Sequence, residues 1–474
     1  MEDFMNIINE FRNIVGKQNV LTGTDTNKYS SDWTGKYTFS PIAVIRPSTT
    51  EEVSEIAKTC YRSNIPMVPI GGNTGLAGGT FAPDSVMISL ERLNKICEIR
   101  SESQIAIVEA GVILSNLHMA VEEANLVFPL TFGAKGSAML GGILSTNAGG
   151  SNVVRYGNTR SLCMGIEVVL PDGRIMNLMS ELHKDNTGYD LKDLIIGAEG
   201  TLGFITKAVV KLKPKPIAYA TAMVAVPTLA NALTLLNQLQ KTTGSGVEAF
   251  EYMTKSYIQA HLEKIPNSRP PFDQLYDVNI MLEIGTIIPD QGKIQNDGNT
   301  LLTRTLERTL SNLMDTGEVT DAVIAKSDFQ RTEMWERREA SAEITITDGP
   351  MILTDIAVPL DKISSFMDKV EIEIKKVDPG SKSLTVGHLG DGNLHYAIYP
   401  TKYDLELFDL LNCAVEEVTQ ELGGSFSAEH GVGLSKKTSM KRRKDPIAIE
   451  VMRAIKKALD PKNLMNPGKV LPDI

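Results

Sequence analysis

Three histidines and a glutamate lie in two short motifs near the end of the chain. His388 and His395 flank a Gly-Asp-Gly-Asn turn, and Glu429 directly precedes His430 in the second motif. If strands lead into and out of the turn, both imidazole rings can face one point. Two neutral histidines and one carboxylate form an open divalent site suited to zinc or manganese. The alternative is that these histidines are ordinary hydrogen-bonded structural residues.

A metal in such a site would act as a Lewis acid on the hydroxyl and carboxylate oxygens of a substrate, and it would lower the pKa of the hydroxyl. His430 is then the best candidate for the base, because imidazole titrates near neutral pH. The other three histidines, His118, His183 and His261, stand alone on helical or loop stretches. We expect these three to be structural or exposed.

Arginine is the residue that binds a carboxylate through two parallel hydrogen bonds. Arg337 and Arg338 lie next to each other in the segment 334–339 and are the two candidates for such a role. The segment is rich in glutamate and arginine, and a helix of that composition normally makes solvent-facing ion pairs. That structural interpretation stays open beside the functional one.

A glycine-rich loop follows the predicted strand 67–70. Residues 71–75 read Gly-Gly-Asn-Thr-Gly, which lets the backbone turn successive N–H groups toward one anion. A diphosphate is the expected ligand. The spacing fits neither the G-x-G-x-x-G fingerprint nor a phosphate-binding G-x-x-x-x-G-K-[ST] loop, so it disfavours nicotinamide cofactors and ATP.

Two further glycine clusters occupy residues 133–150 and 197–203. Many glycines and small polar residues let a backbone lie flat against a large planar ligand and hydrogen-bond to the edge of its rings. Each cluster taken alone could equally be a set of surface turns. The three clusters together favour a binding site for one large cofactor.

The elements that must position these residues fall into two parts. Between residues 41 and 216, short β-branched strands alternate with glycine-rich turns and helical stretches, which predicts an α+β unit containing a hairpin at Pro171-Asp172-Gly173. From 219 to about 378 the glycine clusters disappear, and a separate α/β substrate unit is expected. The apolar stretch 218–239 is interpreted as a strand followed by an amphipathic helix, not as a membrane span.

Composition limits the classes of function. The chain has 474 residues, of which 42% are hydrophobic and 22% charged, as expected for a folded globular protein. The net charge of -10 makes nucleic acid an unlikely partner. The basic residues 436–444 are expected to be a solvated helix face, and the alternative is that an acidic electron-acceptor protein docks there. Four scattered cysteines and an acidic start without a signal-peptide pattern predict a reducing, cytoplasmic location, or an organelle matrix after processing.

Together these motifs resemble the FAD-linked oxidases of the vanillyl-alcohol oxidase and p-cresol methylhydroxylase fold, in the branch of D-lactate, glycolate and D-2-hydroxyglutarate dehydrogenases. The resemblance rests on residues 71–75, 146–150, 184–191, 197–203, 388–395 and 428–431. It implies an α+β fold, with a two-part FAD-binding domain at 1–216 and an α/β cap domain with an antiparallel sheet at 217–425. A C-terminal segment, 426–474, would close on the flavin site.

The resemblance also implies roles for individual residues. A metal would be held by His388, His395 and Glu429, the base would be His430, and Arg338, Asn393, His388 and His430 would contact the substrate. Non-covalent FAD is expected, because the first glycine loop contains no histidine for attachment. The residues expected to bind FAD are Pro69, Gly71, Gly72, Asn73, Thr74, Gly75, Leu76, Pro129, Ser137, Gly141, Gly142, Thr146, Asn147, Gly149, Glu199, Gly200, Ile205 and Asn466.

Two positions depart from the 2-hydroxyglutarate branch. Ala342 stands where that branch carries a threonine, and Leu353 stands where it carries a lysine, so recognition of a second carboxylate is in doubt. The expected reaction is oxidation of a small D-2-hydroxy acid, with an electron-transfer flavoprotein or a quinone as acceptor, in a possible homodimer. The alternatives are a redox-neutral transferase resembling alkyl-dihydroxyacetone phosphate synthases and a flavin-free metal hydrolase.

Overall fold

A computed structural model describes residues 2–473, with the side chains of residues 5–473, and these residues form two units. The first unit contains residues 2–149, 157–214 and 429–473, and the second contains residues 150–156 and 215–428. Each unit has its own sheet structure and its own apolar core. The α+β class is therefore confirmed, whereas the domain boundaries drawn after residues 216 and 425 stay a prediction.

The first unit contains two main sheets and one short ribbon. The four-stranded sheet has the order Val20–Leu21, Ala43–Ile45, Val86–Ser89, Met67–Ile70, and its last three strands are parallel. The antiparallel five-stranded sheet has the order Ile96–Arg100, Ile105–Glu109, Phe204–Lys211, Cys163–Val169, Ile175–Leu178. The ribbon pairs Leu126–Val127 with Lys213–Pro214. The two sheets give the two-part domain that the sequence predicted, and the hairpin at residues 171–173 is confirmed.

The described part of the first unit also contains α-helices and 3₁₀ turns. The α-helices of the first unit are Glu2–Val15, Thr50–Ser63, Leu114–Glu122, Leu140–Thr146, Thr159–Leu162, Leu191–Ile195, Lys437–Arg443 and Pro446–Leu459. Its 3₁₀ turns are Lys17–Asn19, Gly23–Tyr29 and Gly133–Gly136. Local residues define both ends of the helix Thr50–Ser63. The Thr49 side chain accepts a hydrogen bond from Glu52 N at the start of the helix, and Asn64 ends the helix in the left-handed conformation.

One antiparallel sheet of seven strands organises the second unit. Its order is Asp321–Ile324, Ala218–Val226, Val278–Thr286, Val247–Thr254, Lys382–His388, Asn393–Tyr399, Ile352–Ala357. The α-helices are Val153–Tyr156, Leu229–Thr243, Lys255–Lys264, Pro289–Gly292, Leu301–Asp315, Asp328–Glu339, Ser341–Thr345, Ile363–Val377 and Leu405–Glu421, and Leu360–Lys362 is a 3₁₀ turn. The predicted antiparallel sheet of this domain is confirmed.

Both faces of this sheet are buried, and alternate residues of one strand enter different cores. Val224 packs in the larger core, whereas its neighbours Met223 and Ala225 pack in a smaller core on the other face, as the two-residue period of a strand requires. The stretch 218–239 is thus the strand Ala218–Val226 followed by the helix Leu229–Thr243, as predicted. Among the described residues, no helix is long and apolar enough to cross a membrane.

Candidate functional site

The loop at residues 71–75 has the backbone features of an anion site. It begins directly after the strand Met67–Ile70, and Asn73 takes the left-handed conformation with φ 53°. Within the described part of the chain, the backbone N–H groups of residues 72–75 donate to no acceptor. Successive unsatisfied N–H groups around a left-handed residue favour a bound phosphate, so the loop fits the diphosphate of FAD.

Side-chain contacts hold this loop in place. Asn73 Nδ2 donates to Ser31 O at 2.9 Å, and Thr80 Oγ1 donates to Asn73 Oδ1 at 2.8 Å. A Cβ atom at Gly72 would lie only 2.0 Å from Ser137 O, so the two segments touch through their backbones. Asn73 therefore serves the loop through its side chain and leaves its backbone for a ligand.

The second glycine cluster lies beside the first. A Cβ atom at Gly71 would lie 3.7 Å from Gly142 N, at the start of the helix Leu140–Thr146. Gly141 packs against Ala110, where a Cβ atom would come within 2.8 Å of the Ala110 Cβ, whereas a Cβ atom at Gly142 would meet no atom within 4 Å. One glycine thus permits close packing, and the other leaves open space of the kind that a planar ring needs.

The helix Leu140–Thr146 ends in a polar corner. Thr146 Oγ1 donates to Gly142 O at 3.1 Å, and Asn147, with φ 51°, caps the helix in the left-handed region. The Asn147 side chain accepts a hydrogen bond from Arg160 N at 2.9 Å. The side chains of both residues thus stabilise the local fold, and their contacts with FAD stay predictions.

The third cluster joins the C-terminal residues to the same region. Glu199, with φ 52°, accepts hydrogen bonds from Val432 N and Gly433 N, both at 2.7 Å. Asn466 Nδ2 donates to Glu199 O at 2.9 Å, and a Cβ atom at Gly200 would lie 2.4 Å from Pro69 Cγ. Asn466 Oδ1 is buried and has no hydrogen-bond partner among the described residues, so it is available to a ligand donor.

Four other predicted cofactor residues offer apolar atoms or backbone only. Pro129 and Ile205 are buried, and Leu76 and Gly149 are partly buried. None of these four has a polar side chain, so hydrogen bonding neither supports nor opposes a role for them. Their contacts with FAD stay predictions.

We expect the substitution Gly72→Ala to weaken FAD binding by about tenfold or more, which corresponds to about 1.4 kcal/mol. The added Cβ would overlap the Ser137 carbonyl oxygen, so the loop or its neighbour must shift. Flavin absorbance per protein after gel filtration, and titration with FAD, measure the effect. Gly79→Ala is the matched control, because nothing lies within 4 Å of its Cβ. Wild-type flavin content in Gly72→Ala would contradict the assignment of this loop.

In the second unit, the predicted histidines lie on one hairpin. The strands Lys382–His388 and Asn393–Tyr399 pair so that His388 is opposite Asn393 and Val386 is opposite His395. His388 and His395 are therefore diagonal neighbours on the same face, and their ring centroids lie 5.5 Å apart at an interplanar angle of 82°. The prediction that strands lead into and out of the turn is confirmed.

Carboxylates from the two flanking strands reach these histidines. Glu251 is opposite His388, and Asp355 is opposite His395. Glu251 Oε1 lies 3.0 Å from His388 Nδ1, and Asp355 Oδ1 lies 4.0 Å from His395 Nδ1. The carboxylate on Nδ1 of His388 fixes the tautomer of this ring with the lone pair on Nε2, which is the usual environment of a metal-binding histidine. The donor set of the hairpin thus fits a divalent metal.

Glu251 is fully buried and also meets an arginine. Arg338 Nε lies 2.7 Å from Glu251 Oε2 in an ion pair, and the Arg338 side chain is 7% exposed. Burial alone would raise the pKa of Glu251, but its contacts with His388 and Arg338 outweigh burial and hold this pKa below its ordinary value. Arg338 Nη2 is buried and meets no hydrogen-bond acceptor in the described part of the chain.

The helix Asp328–Glu339 therefore does not match the alternative prediction, in which its arginines form ion pairs that face the solvent. Arg337 and Arg338 are both buried, at 4% and 6% exposure. A buried guanidinium group with an unsatisfied N–H is a favourable partner for a carboxylate. The structure thus places Arg338 beside Glu251, which also contacts His388, and the role of Arg338 in substrate binding stays a prediction.

The Asn393 side chain makes more hydrogen bonds within the protein than we expected for a residue that binds the substrate. Its Nδ2 donates to Asp355 Oδ1 and to Ile356 O, both at 2.9 Å, and the residue is 6% exposed. Both N–H groups of the amide are thus used inside the protein. Its predicted contact with the substrate stays a prediction, and the structure gives it the additional role of orienting Asp355.

The remaining predicted residues, Glu429 and His430, come directly after the end of the second unit in the sequence. Ala428 N donates to Asp355 Oδ2 at 3.1 Å, and Ala428 ends the second unit. Glu429 and His430 come next and belong to the first unit, where His430 Nε2 lies 3.8 Å from Glu429 Oε1. Their roles as metal ligand and base stay predictions.

Sequence reasoning gave no role to Glu251 or Asp355. Glu251 lies in the strand Val247–Thr254, in which most residues are apolar and all but the last are buried. An acid inside such a strand was the available signal, since a buried carboxylate needs a partner. The identity of that partner depends on which strands pair, and the sequence alone does not give this.

Comparison with known proteins agrees with an FAD-binding part and a second, C-terminal part of the chain. A family model for "FAD linked oxidases, C-terminal domain" matches residues 215–470, and one for "FAD binding domain" matches residues 41–179. A probable mitochondrial D-2-hydroxyglutarate dehydrogenase of Oryza sativa subsp. indica is 36% identical, covering 98% of this chain and 81% of that protein. The D-2-hydroxyglutarate dehydrogenase of Stutzerimonas stutzeri is 32% identical, covering 98% of both chains.

Solved structures show the same fold at low identity. p-Cresol methylhydroxylase with substrate bound has a TM-score of 0.72 at 16% identity, covering 100% of this chain and 98% of the other. Alkyldihydroxyacetonephosphate synthase also has a TM-score of 0.72, at 17% identity, covering 98% and 86%. The fold is therefore that of the p-cresol methylhydroxylase class of flavoproteins. The chain belongs to the FAD-linked oxidases, in the branch that contains D-2-hydroxyglutarate dehydrogenases, and it is an FAD-dependent dehydrogenase.

Proposed function

We propose that this protein oxidises a D-2-hydroxy acid to the 2-oxo acid with the help of a divalent metal, zinc or manganese. The observation that carries the proposal is the buried Arg338, whose Nη2 has no acceptor among the described residues and whose Nε contacts Glu251, the carboxylate that also contacts His388. A free guanidinium edge suits the substrate carboxylate, and the histidines suit a metal that also binds the hydroxyl oxygen.

Each residue of the site has a proposed role in this reaction. Arg338 binds the C1 carboxylate, His388, His395 and Glu429 hold the metal, and His430 accepts the proton of the C2 hydroxyl group. FAD, when bound, supplies the acceptor for the hydride that leaves C2, and the metal, when bound, lowers the pKa of the hydroxyl. Loss of one proton from oxygen and one hydride from carbon leaves the C=O bond of the product.

D-2-Hydroxyglutarate is the first substrate to test, because the relatives compared above are D-2-hydroxyglutarate dehydrogenases. A specific observation favours D-lactate or another monocarboxylate as the second candidate. Ala342 is exposed and Leu353 is 47% exposed, and neither side chain can bind a second carboxylate. The physiological acceptor is proposed to be an electron-transfer flavoprotein or a quinone, and a homodimer is proposed as the assembly.

The test is a panel of D-2-hydroxy acids with one and two carboxylates, with dye reduction as the readout, for wild type and Arg338→Lys. We expect wild type to reduce the dye with at least one D-acid. In Arg338→Lys, kcat/KM should fall by roughly 10- to 100-fold, because lysine cannot form the bidentate contact and a charge-assisted hydrogen bond contributes about 1.5–3 kcal/mol.

Arg331→Lys is the matched control for this test. Arg331 lies on the same helix, but its guanidinium binds Glu283 through two hydrogen bonds of 2.6 and 2.7 Å. This variant perturbs helix packing without touching the proposed substrate arginine, so kcat/KM should stay near wild type. Equal losses in both variants would refute the role of Arg338. Absence of dye reduction with every D-acid would refute the reaction itself and would favour the redox-neutral transferase.

A further inference from the structure

Glu251 is a buried carboxylate that contacts both His388, a proposed metal ligand, and Arg338, the proposed substrate arginine. Glu251 has no exposed side-chain surface, and it lies on the same sheet face as its strand neighbours Ala249 and Met253, which pack in the smaller apolar core. In such surroundings an ionised carboxylate is stable only with cationic or hydrogen-bonding partners. His388 and Arg338 are the two partners that the structure supplies.

The contact with His388 determines what that ring can bind. His388 Nδ1 lies 3.0 Å from Glu251 Oε1 and 2.9 Å from Oε2. The proton of a neutral ring is therefore held on Nδ1, and the lone pair is on Nε2. Because metal ligands must present a lone pair, the Glu251 contact prepares His388 for coordination.

The contact with Arg338 determines which part of the guanidinium remains available. Its Nε lies beside Glu251 Oε2 at 2.7 Å, whereas its Nη2 meets no acceptor among the described residues. A guanidinium held at the Nε side can present its outer N–H groups as a fork to a ligand carboxylate. Glu251 thus orients the arginine without occupying all of its donors.

We propose that Glu251 is a positioning residue shared by the metal site and the substrate-binding arginine, so that metal affinity and substrate affinity both depend on this one carboxylate. The inference rests on the proposed function, because it takes His388 as a metal ligand and Arg338 as the substrate arginine. It adds a link between the two binding events. A purely structural Glu251 would affect stability alone.

The test is Glu251→Gln in the FAD-loaded protein, which keeps the shape of the side chain and removes its charge. Equilibrium dialysis with Mn²⁺ or Zn²⁺ alone gives the metal dissociation constant, which we expect to rise roughly 10- to 100-fold, as for loss of a carboxylate behind a metal-binding histidine. With saturating metal, KM for the best D-2-hydroxy acid should rise about tenfold, as for loss of one charge-assisted hydrogen bond. Flavin content should not change.

Glu283→Gln is the matched control. Glu283 is a buried carboxylate on the adjacent strand, and it binds Arg331 and Trp335 of the same helix that carries Arg338. Its loss should lower the unfolding temperature without changing the metal dissociation constant.

If Glu251→Gln does not fold, Glu251→Asp is the second variant. It keeps the buried charge but withdraws it by one methylene group, so we expect the same losses of metal affinity and substrate affinity.

The outcomes separate the two proposals. If wild-type protein binds neither Mn²⁺ nor Zn²⁺, the metal part of the proposed function fails. If wild type binds metal and the Glu251 variants bind it equally well with unchanged KM, the shared positioning role is overturned while the proposed function stands. A change in metal affinity without a change in KM, or the reverse, would also overturn the link.

Discussion

Replacement of His430 by glutamine is expected to lower kcat by about 10²- to 10⁴-fold, which is the usual contribution of a general base. Glutamine keeps the size and polarity of the side chain but cannot accept the hydroxyl proton near neutral pH. Steady-state turnover with the best D-2-hydroxy acid measures the effect. FAD content and metal content should remain at wild-type levels, because the proposal assigns His430 to neither group.

His183→Gln is the control for this change. His183 is exposed, and no role is proposed for it. The same substitution there should leave turnover unaltered, so that a loss specific to His430 cannot be attributed to removing any histidine. Turnover of His430→Gln within a few-fold of wild type would exclude His430 as the base.

Replacement of His388 by alanine is expected to abolish metal-dependent turnover, with a loss of at least roughly 100-fold. The hairpin would lose the ring that Glu251 orients, and the remaining proposed ligands, His395 and Glu429, would leave an incomplete site. Added zinc or manganese should not restore the variant. Metal content and turnover, both measured before and after metal addition, check the prediction.

Wild type treated with a chelator provides the comparison. Its turnover should fall, and zinc or manganese should restore it, because all three proposed ligands are present. Full activity of the metal-stripped wild type would remove the metal from the mechanism. Recovery of His388→Ala on metal addition would instead show that His388 is not a ligand.

The parts of the site that the sequence predicted are those formed by neighbouring residues. The turn between His388 and His395 forms a hairpin through its own glycines, and a hairpin places residues of both strands at fixed offsets on one face. The loop at 71–75 was recognisable for the same reason, since its N–H groups and left-handed Asn73 are local features.

The parts that the sequence did not predict depend on pairing between distant strands. Glu251 meets His388 only because the strand Val247–Thr254 lies next to Lys382–His388 in the sheet, although more than a hundred residues separate them. Composition also favoured a solvent-facing helix for Arg338, and tertiary packing buried it instead. The internal use of the Asn393 amide likewise follows from its position opposite the edge strand Ile352–Ala357.

The central claim is that substrate oxidation reduces a flavin bound by this chain. Its most direct test is an anaerobic titration of the purified, metal-loaded protein with D-2-hydroxyglutarate and with D-lactate, followed by the flavin absorbance. We predict a yellow protein that one D-enantiomer bleaches, with formation of the matching 2-oxo acid in equal amount and no bleaching by the L-enantiomer. A flavin-containing protein that stays yellow with every D-2-hydroxy acid would contradict the claim.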